Sequence, residues 1–571
     1  MKGKSFGGGS VGSFTGGSAS GLAGLETALA DLLAAFAPQA LRKDLRQLVT
    51  KLALALAEGH SCLPVTAREE QIALTSGCAD ASGLLPLTVF AGRLYLTRYF
   101  HYEKRLAALC RRLATASTPW LETALFNRLL PASDPGQRQA GLTALSKKIC
   151  LISGGPGTGK TSTVVKIIAL LLETRGQAHG QTDTRETRGP APKIALCAPT
   201  GKAAMRLKEA IAASLDRLPL PPEIREAIPE ESFTLHRLLG ARTHSPHFRH
   251  NAANPLPYDT VIVDEASMVD LALMTKLTDA LPEPARLILL GDQDQLASVE
   301  SGAVFAEMLT GLPDNRAILT ITYRFNRGIG AFAQAIRQGD AAAVSTIAAG
   351  SDYPEIDLHE RSGLETFLAG KVFSYMEIVK KFPRIGVGDI FAAFRRFQTL
   401  CATRAGNWGV AGVNQRLERL LRRKGYASGL DLWYVGRPVL LRRNDFSLGL
   451  YNGDLGICLP DESDGGGFRV WFDGGDGFRS LPLWRLPEHD SAWAMTIHQS
   501  QGSEYAEVLL ILPEKDHPVL SRELLYTGVT RARDQVRLVA SPDILRLATL
   551  RPVARHSGLA AFFSSSNMKN K

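Results

Sequence analysis

Apolar positions recur at three-to-four spacing over the first part of the chain. The stretches LETALADLLAAFA and LRQLVTKLALALAEG carry this helical period, so residues 22–115 are predicted to form a helical N-terminal domain. The preceding residues 1–21 are rich in Gly and Ser, and they bury too little apolar surface to offset the entropy of ordering. We therefore expect a disordered tail, without chemistry of its own, before the helical domain.

Short apolar runs alternate with helical stretches over residues 116–320. Four of these runs read ICLIS, KIALCAP, DTVIVD and RLILLG, and each passes directly into a polar, acidic or Gly-rich turn. This alternation predicts a parallel sheet with crossover helices. Because open parallel sheets bind ligands at the carboxyl ends of their strands, we expect the chemistry to lie along one edge of this sheet.

The second half of the chain repeats this plan around a strand-rich interruption. Helical stretches follow Tyr323, residues 432–486 are strand-rich with Asn-Gly and Gly-Gly turn signals, and strand-turn-helix character resumes with EVLLIL and VRLVAS. The pattern predicts a second α/β domain over 321–431 and 487–571, interrupted by a small β insert at 432–486. The predicted fold class is therefore α/β, with a helical N-terminal domain and a β insert.

Composition indicates the class of binding partner and the cellular compartment of the protein. A chain of 571 residues is too long for one hydrophobic core, and its net charge of +10 favours a polyanionic partner such as nucleic acid. The seven cysteines form no C-x-x-C pair, which favours reduced thiols. No apolar run reaches the roughly 18 residues of a membrane span, and the N-terminus lacks the plan of a signal peptide. We expect a cytoplasmic protein that has no membrane partner.

The most specific motif is a phosphate-binding loop, G-x-x-x-x-G-K-[ST], which follows a strand and precedes the helical run TSTVVKIIALLLE. Glycines admit backbone N–H groups to phosphate oxygens, the helix N-terminus adds positive partial charge, and a lysine reaches the outer phosphates. The threonine hydroxyl can bind magnesium. The predicted ATP-binding residues are Gly154, Gly155, Pro156, Gly157, Thr158, Gly159, Lys160, Thr161 and Ser162.

Two further polar sites follow buried strands of the same domain. Asp264 and Glu265 close the strand VIV, as expected for a carboxylate beside Mg²⁺ and a second one that orients the attacking water. An isolated Asp-Glu pair more often caps a helix, but its position after a phosphate-binding loop favours catalysis. Gln295 follows the strand RLILLG and is a candidate sensor of the terminal phosphate, although an isolated Gln is usually a surface residue.

Two arginines are candidates for stabilising the charge that develops on the transferred phosphoryl group. Planar guanidinium groups suit this charge and can come from a neighbouring domain. Arg324 in ITYRF and Arg531 in YTGVTRAR are the predicted residues. Taken singly, an arginine is more often a solvated or ion-paired surface residue, so their motif context carries the prediction.

Eight motifs follow one another along the chain: GGPGTGKT, APTGKAA, TLHRLLG, VIVDEAS, GDQDQLASV, TYRF, AMTIHQSQGSEY and LLYTGVTRAR. This ordered set resembles the DNA helicases of superfamily 1B, in particular the RecD branch, which supplies the alpha subunit of exodeoxyribonuclease V. The resemblance covers residues from about 137 to 540 and extends to EGHSCLPV, PLTVFAGRLYLTRYFHYEKRLA and NDFSLGLYNGDLGI.

The resemblance implies two RecA-like motor domains with ATP between them and single-stranded DNA crossing both. It assigns Gln137 to the adenine, Glu504 to the sugar of the nucleotide, and 5′ to 3′ polarity to the motor. It also implies DNA contacts by Thr200, Lys202, His236, Thr496 and His498. Hydroxyls and lysines suit phosphate contacts that carry no sequence information, whereas each histidine can equally be a packing residue.

Partners also follow from the resemblance: a RecB-like beta subunit with a second motor and the nuclease, and a RecC-like gamma subunit. The sequence has no acidic cluster outside the ATP site that would form a nuclease centre. The N-terminal domain would dock partners, the β insert would be SH3-like, and residues 241–258 would form a small hairpin beside the duplex junction.

The resemblance therefore implies an ATP-dependent helicase subunit of a RecBCD-type complex that unwinds DNA ends for recombinational double-strand break repair. A stand-alone superfamily 1B 5′ to 3′ helicase remains the alternative. A structural subunit with a binding-only nucleotide site is disfavoured, because such a site needs no water-orienting carboxylate such as Glu265.

Overall fold

The computed structural model describes residues 19–118, 120, 122–174, 192–242, 245–297, 301–323, 327–427, 433–445, 447–461, 467–474 and 477–564. Arg324 and most of the expected N-terminal tail lie outside these residues. The chain divides into two compact units. One comprises residues 1–105, 299–302 and 555–571, and the other comprises residues 106–298 and 303–554.

The N-terminal part of the first unit combines helices with a small sheet. Its elements are α1 (Ala19–Phe36), α2 (Arg42–Ala57), β1 (Leu63–Pro64), α3 (Ala67–Thr75), β2 (Ala79–Asp80), β3 (Leu87–Phe90), β4 (Arg93–Leu96) and α4 (Thr97–Thr115), the last of which continues into the second unit. Helix α3 starts at a capping box, because Thr66 and Glu69 each accept the backbone N–H of the other. The four-stranded sheet, in the order β1-β4-β3-β2, was not part of the helical prediction.

The first lobe of the second unit is a six-stranded parallel sheet flanked by helices. The strand order is β10-β5-β9-β8-β6-β7, and all five pairings are parallel. The elements are α5 (Ala124–Leu129), α6 (Pro135–Ser146), β5 (Ile149–Gly154), α7 (Lys160–Thr174), β6 (Ile194–Ala198), α8 (Gly201–Leu215), α9 (Pro222–Ala227), β7 (Ser232–Thr234), α10 (Leu235–Leu239), β8 (Thr260–Val263), α11 (Leu271–Asp279), β9 (Arg286–Gly291), α12 (Val304–Gly311) and β10 (Arg316–Leu319).

The second lobe begins after Tyr323 and is interrupted by an antiparallel sheet. The elements before the interruption are α13 (Arg327–Gln338), α14 (Ala341–Ala349), β11 (Ile356–Leu358), α15 (Leu364–Val379), α16 (Val387–Phe394), β12 (Phe397–Cys401) and α17 (Val410–Arg423). The insert is a five-stranded sheet in the order β16-β15-β14-β13-β17. Its strands are β13 (Pro438–Leu441), β14 (Leu455–Asp461), β15 (Gly467–Asp473), β16 (Phe478–Pro482) and β17 (His489–Ser491).

After the insert the chain returns to the second lobe and completes its parallel sheet, in the order β11-β20-β19-β12-β18. The remaining elements are β18 (Ala494–Thr496), β19 (Tyr505–Ile511), α18 (Arg522–Val529), β20 (Ala532–Val539), α19 (Pro542–Leu550) and α20 (Leu559–Ser564), the last of which belongs to the first unit. The α/β class, the two parallel sheets and the interrupting β insert are confirmed. The SH3-like description of the insert and the expected domain boundaries stay predictions.

Three smaller features bear on the sequence predictions. The expected hairpin at 241–258 contains two isolated antiparallel bridges, Ala241 with Phe248 and Asn251 with Asn254. The seven cysteines are buried free thiols. Among the helices that the structure describes, none combines the length and apolar character needed to cross a bilayer.

Candidate functional site

The phosphate-binding loop joins the end of β5 to the start of α7. Gly157 and Gly159 have φ values of 78° and 82°, a left-handed conformation that glycine adopts without steric strain. Inside the loop, the Lys160 ammonium group donates to the carbonyls of Gly154 at 2.6 Å and Gly155 at 3.2 Å. Thr161 and Ser162 occupy the next positions of α7 and are half-buried. The lysine side chain therefore lies over the loop, and the first turn of α7, with Thr161 and Ser162, lies beside it.

Asp264 and Glu265 follow β8, which is two strands from β5 in the sheet. Burial and the neighbouring Glu265 carboxylate raise the pKa of Asp264 to about 6, against the opposing effect of Lys160. Glu265 has φ 51° and ψ 40°, a left-handed conformation that costs a residue with a Cβ atom about 1–2 kcal/mol. Backbone strain of this kind concentrates at functional sites, which supports the predicted role of the carboxylate.

Gln295 lies in the loop after β9, the strand between β5 and β8. The Gln295 side-chain amide donates to Asp292 Oδ2 at 2.9 Å, and both residues are buried. Tyr526, from α18 of the second lobe, donates its hydroxyl to the same carboxylate oxygen at 3.2 Å. Burial raises the pKa of Asp292, while Lys160 and the hydrogen bonds oppose that shift. Asp292 and Tyr526 were not singled out from the sequence, although both stand inside quoted motifs.

Arg531 lies two residues beyond α18, on the second lobe, and is buried. Its guanidinium group donates to the carbonyls of Thr527 at 3.1 Å and Ser503 at 3.3 Å. The Thr527 hydroxyl in turn accepts the backbone N–H of Leu296 at 2.9 Å, so α18 contacts the loop that carries Gln295. Arg324, the other predicted arginine, lies outside the described residues, and its role stays a prediction.

Gln137 lies at the start of α6 against the phosphate-binding loop. Its side-chain oxygen accepts a hydrogen bond from Lys166 at 2.7 Å, and its side-chain nitrogen approaches Gly159 so closely that a Cβ there would lie 3.0 Å away. Tyr323 donates its hydroxyl to Asp134 Oδ2 at 2.6 Å and its backbone N–H to the carbonyl of Gly157 at 2.8 Å. The Tyr323 ring is largely exposed. Gln137 and Tyr323 therefore flank one side of the loop, where an aromatic ring can stack on a base.

Glu504 forms an ion pair with Arg206 of α8, with 3.7 Å between Oε1 and Nη1. Both side chains are about one third exposed, so solvent screens the pair. They line a cavity of about 110 Å³ together with Lys202 and Asp454. Arg206 was not predicted from the sequence, although it directly follows the APTGKAA motif and Met205. The assignment of Glu504 to the nucleotide sugar stays a prediction.

Two of the predicted DNA-contacting residues meet at the N-terminus of α8. The Thr200 hydroxyl caps this helix by accepting the N–H of Ala203 at 3.2 Å. Burial and the neighbouring Arg206 lower the pKa of Lys202 to about 7, while Asp454 opposes the shift. Beside them lies a cleft of about 550 Å³ between the first lobe and the insert. Its lining includes Gly201, Lys208, Arg237, Tyr451, Phe478 and Arg479.

The other three candidates lie in different settings. Thr496 is buried and exchanges hydrogen bonds with Gln499: the Thr496 N–H and hydroxyl donate to the Gln499 side-chain oxygen, and the Gln499 N–H donates to the hydroxyl. His236 packs edge-on against Phe248, with ring centroids 5.7 Å apart. His498 is half-buried in a short helical turn. Internal hydrogen bonding favours a structural role for Thr496, and both histidine assignments stay predictions.

Two family profiles match separate segments of the chain. A profile of the AAA domain family matches residues 137–301, and a profile of the UvrD-like helicase C-terminal domain matches residues 491–539. The first segment holds the phosphate-binding loop, Glu265 and Gln295, and the second holds Glu504 and Arg531.

Full-length relatives are also similar to the chain. It is 41% identical to the RecBCD enzyme subunit RecD of Mycolicibacterium smegmatis, over 83% of this chain and 82% of that protein. It is 34% identical to the RecBCD enzyme subunit RecD of Haemophilus influenzae, over 76% of this chain and 72% of that protein. Identity to the ATP-dependent RecD2 DNA helicase of Deinococcus radiodurans is 31%, over 81% of this chain and 57% of that protein. At this identity and coverage, the chain belongs to the RecD family.

Proposed function

We propose that the chain is the ATP-driven 5′ to 3′ DNA helicase subunit of a RecBCD-type exodeoxyribonuclease V, which unwinds DNA ends for recombinational double-strand break repair. The observation that carries the proposal is the composite site. The loop of the first lobe that carries Asp292, Gln295 and Leu296 is hydrogen-bonded to Tyr526 and Thr527 of α18 in the second lobe. Arg531 is in turn hydrogen-bonded to Thr527. A site shared by two lobes can convert ATP turnover into relative movement of the lobes.

Each side chain has a defined task in this proposal. Lys160 binds the outer phosphates of ATP, and Glu265 orients the attacking water and accepts its proton. Gln295 contacts the terminal phosphate, and Arg531 stabilises its developing charge together with Arg324. Thr161 and Asp264 provide a hydroxyl and a carboxylate, oxygen donors of the kind that Mg²⁺ prefers. Bound there, Mg²⁺ would offset the negative charge of the outer phosphates.

The cleft beside α8 is the proposed path of single-stranded DNA. Lysine and arginine side chains such as Lys208 and Arg479 suit phosphate contacts, and the rings of Tyr451 and Phe478 can stack on bases. The N-terminus of α8 adds Thr200 and Lys202. Helix α8 also carries Arg206, which forms an ion pair with Glu504 near Arg531. A shift of α8 on DNA binding can therefore change the position of groups at the ATP site. Such contacts predict binding without sequence preference.

Coverage of the relatives favours the subunit over a stand-alone helicase. The chain spans 82% of the Mycolicibacterium RecBCD subunit and only 57% of the RecD2 helicase. We infer RecB-like and RecC-like partners, with the nuclease in a partner, docking through the N-terminal domain, and a cytoplasmic location. Leu32, Phe36 and Leu54 of α1 and α2 are exposed apolar side chains available for that docking.

The Lys160→Gln variant tests the ATP site. Loss of the ammonium group removes the main cationic contact to the outer phosphates, so DNA-stimulated ATP hydrolysis should fall by about a hundredfold or more. The control is Lys381→Gln, a similar charge loss on the exposed surface of the second lobe, which should leave turnover unchanged. ATP turnover at the wild-type rate in Lys160→Gln would contradict the assignment.

The complex and the polarity need a separate experiment. Affinity purification from native cells should recover two partner subunits, and the recovered complex should be assayed on 5′-tailed and 3′-tailed duplexes. Because the partner is expected to carry its own motor, the Lys160→Gln complex should lose unwinding that starts from the 5′ tail and keep the rest. A lone chain of monomer size in a native extract would favour the stand-alone helicase instead.

A further inference from the structure

Tyr526 belongs to the second lobe, and its hydroxyl lies inside the ATP site of the first. It is 5% exposed and donates to Asp292 Oδ2 at 3.2 Å. The same oxygen accepts the side-chain amide of Gln295 at 2.9 Å. Asp292 and Gln295 are 1% and 5% exposed. The three side chains therefore form a buried chain of hydrogen bonds from one lobe to the predicted phosphate sensor of the other.

The phosphate-binding loop lies directly beside this chain of hydrogen bonds. A Cβ atom added to Gly155 would lie 2.8 Å from the Tyr526 hydroxyl, which is too close for a stable contact. A side chain at Gly155 would therefore displace this hydroxyl or the loop. A change in the position of Tyr526 therefore alters the surroundings of the loop that is expected to bind the outer phosphates of ATP.

Helix α18 contacts the sensor loop at a second point. Thr527 follows Tyr526, and its hydroxyl accepts the backbone N–H of Leu296, the residue after Gln295. The carbonyl of Thr527 accepts a hydrogen bond from Arg531. Side chain and backbone contacts thus connect one end of α18 to both the loop of Gln295 and the predicted arginine, so these groups are expected to move together.

We propose that Tyr526 is a positioning residue, which fixes Gln295 through Asp292 when the second lobe closes on the first. The carboxylate orients the Gln295 amide, and the tyrosyl hydroxyl orients the carboxylate. Closure of the two lobes thereby sets the orientation in which Gln295 can contact the terminal phosphate. The inference rests on the proposed function, because Gln295 has a phosphate to contact only if this chain hydrolyses ATP.

The test is a double-mutant cycle on the full chain. Tyr526→Phe keeps the ring and removes the hydroxyl, and it should lower the DNA-stimulated kcat about fivefold to tenfold while KM for ATP changes by less than about twofold. Gln295→Ala should lower kcat as well. Because Tyr526 acts through Gln295, adding Tyr526→Phe to Gln295→Ala should lower kcat by no more than about twofold further.

Tyr375→Phe is the matched control. It removes another buried tyrosyl hydroxyl of the second lobe, which donates to the carbonyl of Gly436 at 3.2 Å. Both substitutions should lower the unfolding midpoint to a similar extent, but Tyr375→Phe should keep the wild-type kcat. A purely structural role of Tyr526 would make the two variants alike in kcat.

The outcomes separate this inference from the proposed function. If the wild-type chain hydrolyses ATP with DNA stimulation, and Tyr526→Phe has the wild-type kcat or its loss multiplies with that of Gln295→Ala, the positioning role is overturned. If the wild-type chain shows no DNA-stimulated hydrolysis, the proposed function fails first and the positioning role fails with it.

Discussion

At the residue scale, Glu265 holds its carboxylate at the cost of an unfavourable backbone conformation. Its φ of 51° belongs to the left-handed region, where a Cβ atom clashes with the backbone and glycine does not. Glu265→Gly should therefore be more stable than Glu265→Ala by about 1 kcal/mol, although glycine is normally the less stable residue because it loses more entropy on folding. Chemical denaturation of both variants measures this difference.

The same pair of variants reports on catalysis. Neither alanine nor glycine can orient water, so both should lose ATP hydrolysis by at least about a hundredfold while still binding nucleotide. A Glu265→Gly protein that is less stable than Glu265→Ala would show that the residue is not strained in solution. Retained hydrolysis in either variant would remove Glu265 from the proposed mechanism.

At the element scale, α8 and the β insert meet at Gly201. A Cβ there would lie 2.3 to 2.9 Å from three ring atoms of Tyr451, so Gly201→Ala forces the ring and its loop away from the helix. Both residues line the proposed DNA cleft. We expect about 1–3 kcal/mol of destabilisation and a loss of single-stranded DNA affinity of roughly tenfold. Fluorescence anisotropy with a labelled oligonucleotide measures the affinity.

Gly370→Ala provides the control for that experiment. Gly370 lies within helix α15, where a Cβ would meet nothing within 4 Å. Alanine should therefore stabilise this helix by up to about 1 kcal/mol and leave DNA affinity unchanged. If Gly201→Ala binds DNA as tightly as Gly370→Ala does, the cleft beside α8 is not the path of the strand.

Elements with a long, clear period were predictable, and contacts between distant segments were not. The strands β5, β6, β8 and β9 were each read as apolar runs that end in a polar turn. Strands β1 and β2 have two residues each, which is too short for an alternating pattern to register. The hydrogen bond between Leu296 and Thr527 joins residues 231 positions apart, and no local pattern encodes it. Tyr323, Tyr526 and Arg206 were missed for the same reason, since their roles depend on such neighbours.

At the scale of the whole molecule, the first and the last described segments of the chain belong to one compact unit. The described residues 555–564 group with residues 19–105. Glu103, fully buried, accepts hydrogen bonds from the Ser61 and Ser557 hydroxyls at 2.5 and 2.7 Å. Burial raises the pKa of this carboxyl group despite those hydrogen bonds. The segment that leads into α20 is therefore hydrogen-bonded to a buried carboxylate of the N-terminal helical region, within the first unit.

Phe562 of α20 tests this arrangement. Its ring is 3% exposed and stacks on Phe90 with centroids 4.6 Å apart. Phe562→Ala should cost the first unit about 3 kcal/mol, because it removes a buried ring and leaves a cavity. Phe36→Ala removes a ring that is 74% exposed, so it should change stability by less than about 0.5 kcal/mol.

The two units can be followed separately in one protein. All six tryptophans lie between residues 106 and 554, so tryptophan fluorescence reports on the second unit alone. Cys62 is fully buried in the first unit and reacts with a thiol reagent only when that unit opens. Phe562→Ala should accelerate labelling of Cys62 about a hundredfold, as a 3 kcal/mol loss implies, and leave labelling of Cys401 and tryptophan fluorescence unchanged. Equal labelling of Cys62 in Phe562→Ala and Phe36→Ala would mean that α20 does not stabilise the N-terminal unit.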